Sequence, residues 1–480
     1  MPQQIALKSA AASGFVAATL CLAASTTHAQ NAPDLISAVR RSDVAAVRAL
    51  AVRSSVSVKQ ADGTTALHWA TNLDNVEIVD LLLAHGASPD AATDFGVTPL
   101  SLAATNGSAR IIERLLKAGA NPNLALPTGE TPLMTAARTG DVGSVAALLS
   151  YHADPNAKET GLGQTALMWA VAEGHAGAVA QLLEHGASVE AASSSGFTAL
   201  MFAARDGNIG IARTLLSSGA PIDAASVSGD TALSVGVVRG QVDLAEFLLD
   251  QHANPNIDKA GYTPLHWAVA KWETGMTHDY AEAQGEWATL GGIPAPRKLE
   301  LIKALLHHGA DPNARARKSP PRFGVYLFTP GNLSGATPFY FAAMSADVDV
   351  LRLLIANGAD PLLTVADGTT ALMMACGQGR TEGESVISDE QSRLAAEYMV
   401  TLGVGDINAA NKQGDTALHS AATQGLDETI RFLVSKGGDL RLKNKKDETP
   451  LKIAEGVTLL AQLIEHPRTA AVIRSLGGTK

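Results

Sequence analysis

A phrase repeated at a nearly fixed interval limits what this chain can fold into more than any other feature. Thr-Pro-Leu-His-Trp-Ala at residues 263–268 is one copy, and its leading threonine recurs as Thr65, Thr98, Thr131, Thr165, Thr198, Thr231, Thr263, Thr337, Thr370, Thr416 and Thr449. Eight of the ten intervals are 32–34 residues. A period of that length marks a solenoid of supersecondary units, each too small to close a core of its own and therefore stable only against its neighbours. Repetition also overrides the usual inference that 480 residues must divide into several unlike domains, because a stacked array extends one core without the size limit of a globule.

The residues around each threonine predict a pair of helices. The threonine hydroxyl accepts a hydrogen bond from a free amide of the first helical turn. The residue after it is Pro in five copies and Ala in six, both suited to a position whose amide needs no partner. Two residues before the threonine stands a glycine, from Gly63 to Gly414, with Asp447 the exception in the last copy; a tight turn with positive φ is expected there. A second helix follows, as in Val76 to Ala84, with apolar residues spaced by three and four. It ends at Gly86, Gly119, Gly186, Gly219, Gly309, Gly358, Gly403 or Gly437, where a left-handed residue closes a helix, and His152 and His252 hold that place in two copies. The fold class expected is all-α: about twelve helix-pair repeats joined by short turns or hairpins. That number includes a first unit at residues 33–64 without the threonine phrase, read as a capping repeat. Leu459 to Ile464 and Thr469 to Leu476, separated by Pro467, predict an extra closing helix at the other end.

The segment DFGVTPLSLAATNGSARIIERLLKAGANPN at residues 94–123 resembles the ankyrin repeat. The resemblance extends over roughly nine-tenths of the chain beyond residue 29 and implies a short turn or hairpin followed by two antiparallel helices. It further implies that His68, His266 and His419, three residues after a threonine, bond between neighbouring turns, and that the first helices line a concave wall. The insertions described below, with ATPFYFAAMSADVDVLRLLIANGADPLL and GQGRTEGES, resemble those of secreted ankyrin-repeat proteins from environmental bacteria. That likeness implies export and transfers no catalytic residue. Ankyrin arrays carry many unrelated partners on one scaffold, so fold and function separate here.

Residues 1–29 carry one charge, Lys8, then an apolar stretch from Phe15 to Ala24 and Thr27-His28-Ala29 before Gln30. This tripartite form predicts a secretory signal peptide cleaved after Ala29, and a periplasmic or secreted protein. Leu20 before Cys21 does not suit a lipoprotein anchor. Removing the leader takes away one lysine and no acid, moving the net charge from −10 to −11. Such a balance argues against nucleic acid, whose phosphates supply much of the affinity for basic proteins. No later stretch has the apolar length to span a bilayer. Cys376 is then the single cysteine, which excludes an intramolecular disulfide and reads as a small buried hydrophobe.

The period breaks between Thr263 and Thr337, 74 residues apart. One inserted piece, Trp272 to about Lys298, separates the two helices of a repeat; another, Arg315 to Ser334, lengthens the following turn. A third, about Arg380 to Asp389, parts the helices of the repeat opened by Thr370. Loops this long in a compact array are functional or disordered. The expected organisation is therefore regular repeats over 65–271, a repeat with two insertions over 272–334, and repeats with a C-terminal cap over 335–480. Trp272, His278, Tyr280 and Trp287 make the first insertion aromatic in a chain of 4% aromatics. It reads either as a partner- or ligand-binding flap, which would make the chain an accessory module for an exported enzyme with this piece as lid, or as an ornament on the array edge.

Four residues after the threonines runs a column containing Trp69, Trp169, Phe202 and Trp267, readable as packing between first helices or as aromatic anchors for a partner. The turn tips offer Asp94, Phe95, Thr128, Lys158, Glu159, Ser194, Val227, Lys259, Asp367, Lys412 and Lys445. Chemistry finds no footing: there is no H-E-x-x-H, C-x-x-C or G-x-S-x-G motif. Gly161-Leu162-Gly163 belongs to a repeat turn and not to a dinucleotide fingerprint. Neither metal nor cofactor is expected; His307 and His308 lack further ligands at a useful spacing. The sequence thus predicts a non-enzymatic, monomeric scaffold that binds a protein partner through turn tips and first-helix face.

Overall fold

The computed structural model describes residues 34–269, 295–318, 333–378, 387–403, 406–459 and 462–479. Residues 1–33, which include the expected leader, and the middle of all three insertions, with Trp272, Tyr280 and Trp287, lie outside them. Two compact units divide the chain, Met1–Ser228 and Gly229–Lys480. The first holds six helix pairs, from Leu35–Arg40 with Val44–Ala51 to Ala199–Asp206 with Ile209–Ser217. The second begins with Ala232–Val238 and Val242–Asp250. It continues through Pro264–Val269 with Ala295–His307, Pro338–Met344 with Val348–Ala356, Ala371–Ala375 with Asp389–Thr401, and Ala417–Thr423 with Asp427–Ser435. This is the all-α repeat array read from the threonine period.

Local chemistry explains each start and stop. Thr98 accepts from the amide of Ser101 at 3.1 Å, and the Ser101 hydroxyl accepts from the Thr98 amide at 3.0 Å, a reciprocal cap. The second helices end with left-handed residues, Gly86 at φ 84° and Gly119 at φ 89° among them; His152 and His252 adopt φ 65° and 67° in the same place. Asp447, standing where other copies have glycine, takes φ 59°. Leu67, Ile78, Leu82, Leu100, Ile111 and Leu115 are fully buried where each pair meets the next. Burying such side chains stabilises by about 1.5–3 kcal/mol each.

Two polar lattices join neighbouring repeats. At the turn tips an amide donates to a carbonyl of the preceding turn: Asp94 to Asp62 at 2.9 Å, Ser194 to Leu162 at 2.7 Å and Val227 to Ser195 at 2.9 Å in the first unit. In the second unit Lys412 donates to Asp367 at 2.7 Å and Lys445 to Gln413 at 2.8 Å. The other lattice uses asparagine. Asn156 accepts from the Ser188 amide at 2.7 Å and donates to the Gly186 carbonyl at 3.0 Å, tying a helix end to the next repeat; Asn123, Asn256, Asn313 and Asn408 repeat the arrangement. These bonds satisfy backbone groups that helix ends leave open.

The lattice passes over the inserted pieces. Asn256 accepts from Asp311 at 2.8 Å and donates to Gly309 at 2.8 Å, and the Arg317 amide reaches the Gly261 carbonyl at 2.9 Å. The first insertion therefore leaves and rejoins a stack whose register it does not alter.

The extra closing helix is corrected. Val457–Leu459 and Gln462–Ile464 form a two-stranded antiparallel ribbon, and Pro467–Ser475 is the second helix of the last pair. Gly456, at φ 142° and ψ 125°, turns the backbone out of the helix Pro450–Glu455. Pro467 stands at the first helical position, where its missing amide costs nothing.

The turn glycines answer two demands, and substitution separates them. A Cβ on Gly196, at φ +80°, would lie 2.7 Å from the Val227 amide nitrogen, whereas one on Gly186, at φ +86°, meets nothing within 4 Å. Gly186→Ala should cost about 1–2 kcal/mol of left-handed strain. Gly196→Ala should exceed it by a further 1–3 kcal/mol or so, because backbone must move as well. Urea midpoints of the two variants measure the gap; equal losses would refute the close-approach explanation.

Candidate functional site

On the first helices of the first unit, aromatic rings are covered by guanidinium groups. Arg40 lies over Trp69 at 4.8 Å, Arg138 over Trp169 at 5.1 Å and Arg205 over Phe202 at 5.1 Å. Arg138 faces Glu130 at 3.4 Å, and Glu130 accepts from the Thr135 hydroxyl at 2.8 Å; Arg205 is paired with Asp206 at 2.8 Å. Each stack contributes on the order of 0.5–1 kcal/mol where partly exposed. Arg138 and Arg205 both stand seven residues after a repeat threonine. That shared register is a signal carried by the sequence itself.

The column four residues after the threonine is not uniform. Phe202 is 2% exposed and takes the edge of Phe197 at 5.8 Å, and Trp69 is 6% exposed with its indole donating to Gln60 at 2.9 Å. Both serve first as core, so as partner contacts they offer little surface. Trp169 is half-buried, and among the described residues its indole N–H has no acceptor. The position corresponding to Gln60 is Thr160, whose hydroxyl donates instead to the Thr128 carbonyl at 2.8 Å.

In the second unit, half-buried Trp267 packs against Tyr262 at 5.3 Å. The buried Tyr262 donates to the Lys318 carbonyl at 2.7 Å, and burial pushes its hydroxyl above the ordinary tyrosine range. His266 meets Phe341 edge-on at 5.8 Å. This aromatic cluster binds together the repeats from which the two largest insertions leave.

At the turn tips, Phe95 is 75% exposed and Val227 76%; Asp94 and Lys259 are exposed. Glu159 is otherwise engaged. Its carboxylate accepts from the amides of Gly161, Leu162 and Gln164 at 2.5–3.0 Å, so it organises its own turn. Lys158 donates to the Ala192 carbonyl of the next repeat at 2.7 Å and acts as a brace. Sequence reading took both as free contacts because nothing in their spacing reports the turn's internal bonds.

The three histidines of the phrase are buried and bridge repeats. Nδ1 of His68 accepts from the Thr65 amide at 3.2 Å, which leaves Nε2–H to donate to the Val97 carbonyl at 3.0 Å. His266 does the same with Thr263 at 3.1 Å and Ala336 at 3.2 Å, and His419 with Thr416 at 3.2 Å and Glu448 at 3.0 Å. Desolvation holds all three imidazoles below the ordinary value of 6.5, His266 at about 4. Among the described residues no three His, Cys, Asp or Glu side chains converge as a metal site, and no helix is long and apolar enough to cross a membrane. His308 instead approaches Asp250 at 3.4 Å.

The chain belongs to the ankyrin repeat family. The family model described as ankyrin repeats in three copies matches residues 7–93, 35–126, 89–159, 133–226 and 293–388, and the single ankyrin repeat matches 228–259 and 413–445. Relatives include B-cell lymphoma 3 protein of Homo sapiens, 34% identical over 231 residues, covering 41% of this chain and 48% of that one. SH3 and multiple ankyrin repeat domains protein 2 of Homo sapiens is 32% identical over 239 residues, covering 47% of this chain and 11% of that one. A solved structure, the ankyrin repeat domain of Bcl-3, is 30% identical and covers 45% of this chain and 99% of its own, with a TM-score of 0.41. The chain thus spans less than half the length of the two curated relatives.

The buried histidines give a signed pH dependence. Their folded values lie below 6.5, so the unfolded chain binds more protons as the pH falls through that value. Stability is full above the unfolded value and declines toward the folded ones. For His266 the whole difference is about 3 kcal/mol. Urea midpoints should fall between about pH 7.5 and 5.5, before most carboxylates titrate; a flat profile over that window would contradict the assignment of neutral, bridging imidazoles.

Proposed function

We propose that this chain is an exported, non-enzymatic scaffold that holds a protein partner on its first-helix face and turn tips. The carrying observation is Trp169, a half-buried aromatic side chain whose buried indole N–H has no acceptor among the described residues and whose ring lies under a guanidinium group. Aromatic and arginine side chains grouped in this way are the residue types that dominate interface energetics. Asp94, Phe95, Lys259 and Trp267 extend the same reading to the tips and the second unit.

Ankyrin repeats are protein-interaction scaffolds as a class, and the rest of the reading follows from the sequence. The tripartite leader supports export to the periplasm or beyond, as does the likeness of the insertions to those of secreted bacterial ankyrin-repeat proteins. Net charge near −11 without the leader disfavours nucleic acid as partner. The working protein is a monomer, its rigid surface supplying recognition and no bond-making chemistry.

Placing a photo-crosslinking amino acid at Trp169 or Phe95 in the native cell should yield a discrete protein adduct. The same probe at Glu113, on the exposed side of the second helix Ala109–Lys117, should not. Adducts equally abundant at all three positions, or absent from the first two, would sink the scaffold reading. The exported chain should begin at Gln30 by N-terminal sequencing; an intact Met1 in the mature protein would overturn export.

A further inference from the structure

The turn tips of the second unit differ in charge from those of the first. In the first unit the residues whose amides reach the preceding tip are Asp94, Thr160, Ser194 and Val227, none of them basic. In the second they are Arg317, Lys412 and Lys445, while Lys259 holds the tip before them and Lys318 and Lys446 stand beside them in sequence. All six are exposed. Arg317 is paired with Asp258 at 2.5 Å. Among the described residues Lys259, Lys318, Lys412, Lys445 and Lys446 have no carboxylate at ion-pair distance.

The acids nearby are already engaged. Asp439 is bound to Arg441 and Asp447 to Lys443, both at 2.9 Å. Asp415 and Glu448 accept from the Asn444 amide group at 3.0 and 3.1 Å. Tip lysines elsewhere are also spent, Lys59 on the Ala92 carbonyl and Lys158 on the Ala192 carbonyl. A row of uncommitted cations at one register, in a chain whose net charge is −10, is therefore a local reversal of sign.

We infer that the tips of the second unit form a docking rail for an acidic, extended segment of a protein partner. The inference rests on the scaffold reading above and names the chemistry of the segment that unit would take. The geometry sets its pitch. Packed repeats are about 10 Å apart, and an extended chain in the polyproline II conformation advances about 3.1 Å per residue with three residues per turn, so every third residue faces a tip. Lys259 and Lys318 serve one end of the rail and Lys412 and Lys445 the other, with Ala366-Asp367 at the one intervening tip that carries no cation. A carboxylate at each third position pairs with this row, except opposite Asp367, where a neutral residue is preferred. Complementary charge of this kind governs encounter and register and weakens with salt.

The test uses the full chain and a fluorescein-labelled peptide of about fifteen residues with glutamate at every third position except the middle one, and glycine and serine elsewhere. Fluorescence anisotropy should show binding that weakens as salt rises from about 50 to 300 mM. The double variant Lys412→Glu/Lys445→Glu should bind at least about tenfold more weakly. Lys303→Glu, on the second helix Ala295–His307, should bind as the parent does, and thermal melts by circular dichroism should show both variants folded. No binding at low salt, an equal loss in Lys303→Glu, or tighter binding of oligothymidylate or phosphatidylglycerol vesicles of matched charge each overturns the rail. A crosslinked partner at Trp169 together with a failed peptide titration rejects the rail alone; failure of both rejects the scaffold as well.

Discussion

One constraint governs the structure: a single pair of short helices cannot bury its own apolar face, so every unit depends on the unit beside it. Burial supplies the adhesion, but it is non-directional. Direction comes from backbone groups that a helix end or tight turn leaves open and that only the next repeat satisfies. The Asn156 amide, the Ser194 N–H and the His68 imidazole are three solutions to that accounting. Each joins one repeat to the next at a fixed register, and together they make the stack a lattice with defined spacing.

That lattice explains why long insertions are tolerated. Residues 270–294 separate two helices of one repeat, yet Asn256 still reaches Gly309 and His266 still reaches Ala336. The bonds fix the spacing of the repeats, and the chain between is free in length because loop closure costs grow only slowly with it. The same lattice keeps the surfaces regular. Side chains at one register, repeat after repeat, form rows along the first helices and along the tips, so a change of residue type at one register changes a whole strip of surface. Guanidinium-covered rings on the first helices and cations at the tips are two such strips.

Much of the fold was legible in residues 65–449 because its signals are local. Threonine caps, proline or alanine at the first helical position, and glycine at the closing turn act within a few residues, and Asp447 and His152 adopted left-handed geometry where position alone required it. The C-terminal end was misread because Leu459 to Ile464 has apolar periodicity compatible with a helix, and the decisive feature was the backbone at Gly456. The candidate site was less legible. The aromatic column was visible, but its division into buried Phe202 and half-exposed Trp169 depends on neighbouring repeats. Glu159 looked like a free tip residue because the four hydrogen bonds it accepts come from its own turn's backbone, whose path a composition does not report.

The amino-acid sequence by itself determined the repeat length, the helix boundaries and the residues able to stand at left-handed positions, since these follow from steric and hydrogen-bonding preferences acting over a few neighbours. Only the tertiary structure decided which members of each periodic column face solvent, which tip lysines stay uncommitted and which imidazoles are locked neutral. Those outcomes depend on atoms brought close from about one repeat away, and desolvation and charge pairing are set by that proximity and not by local order along the chain.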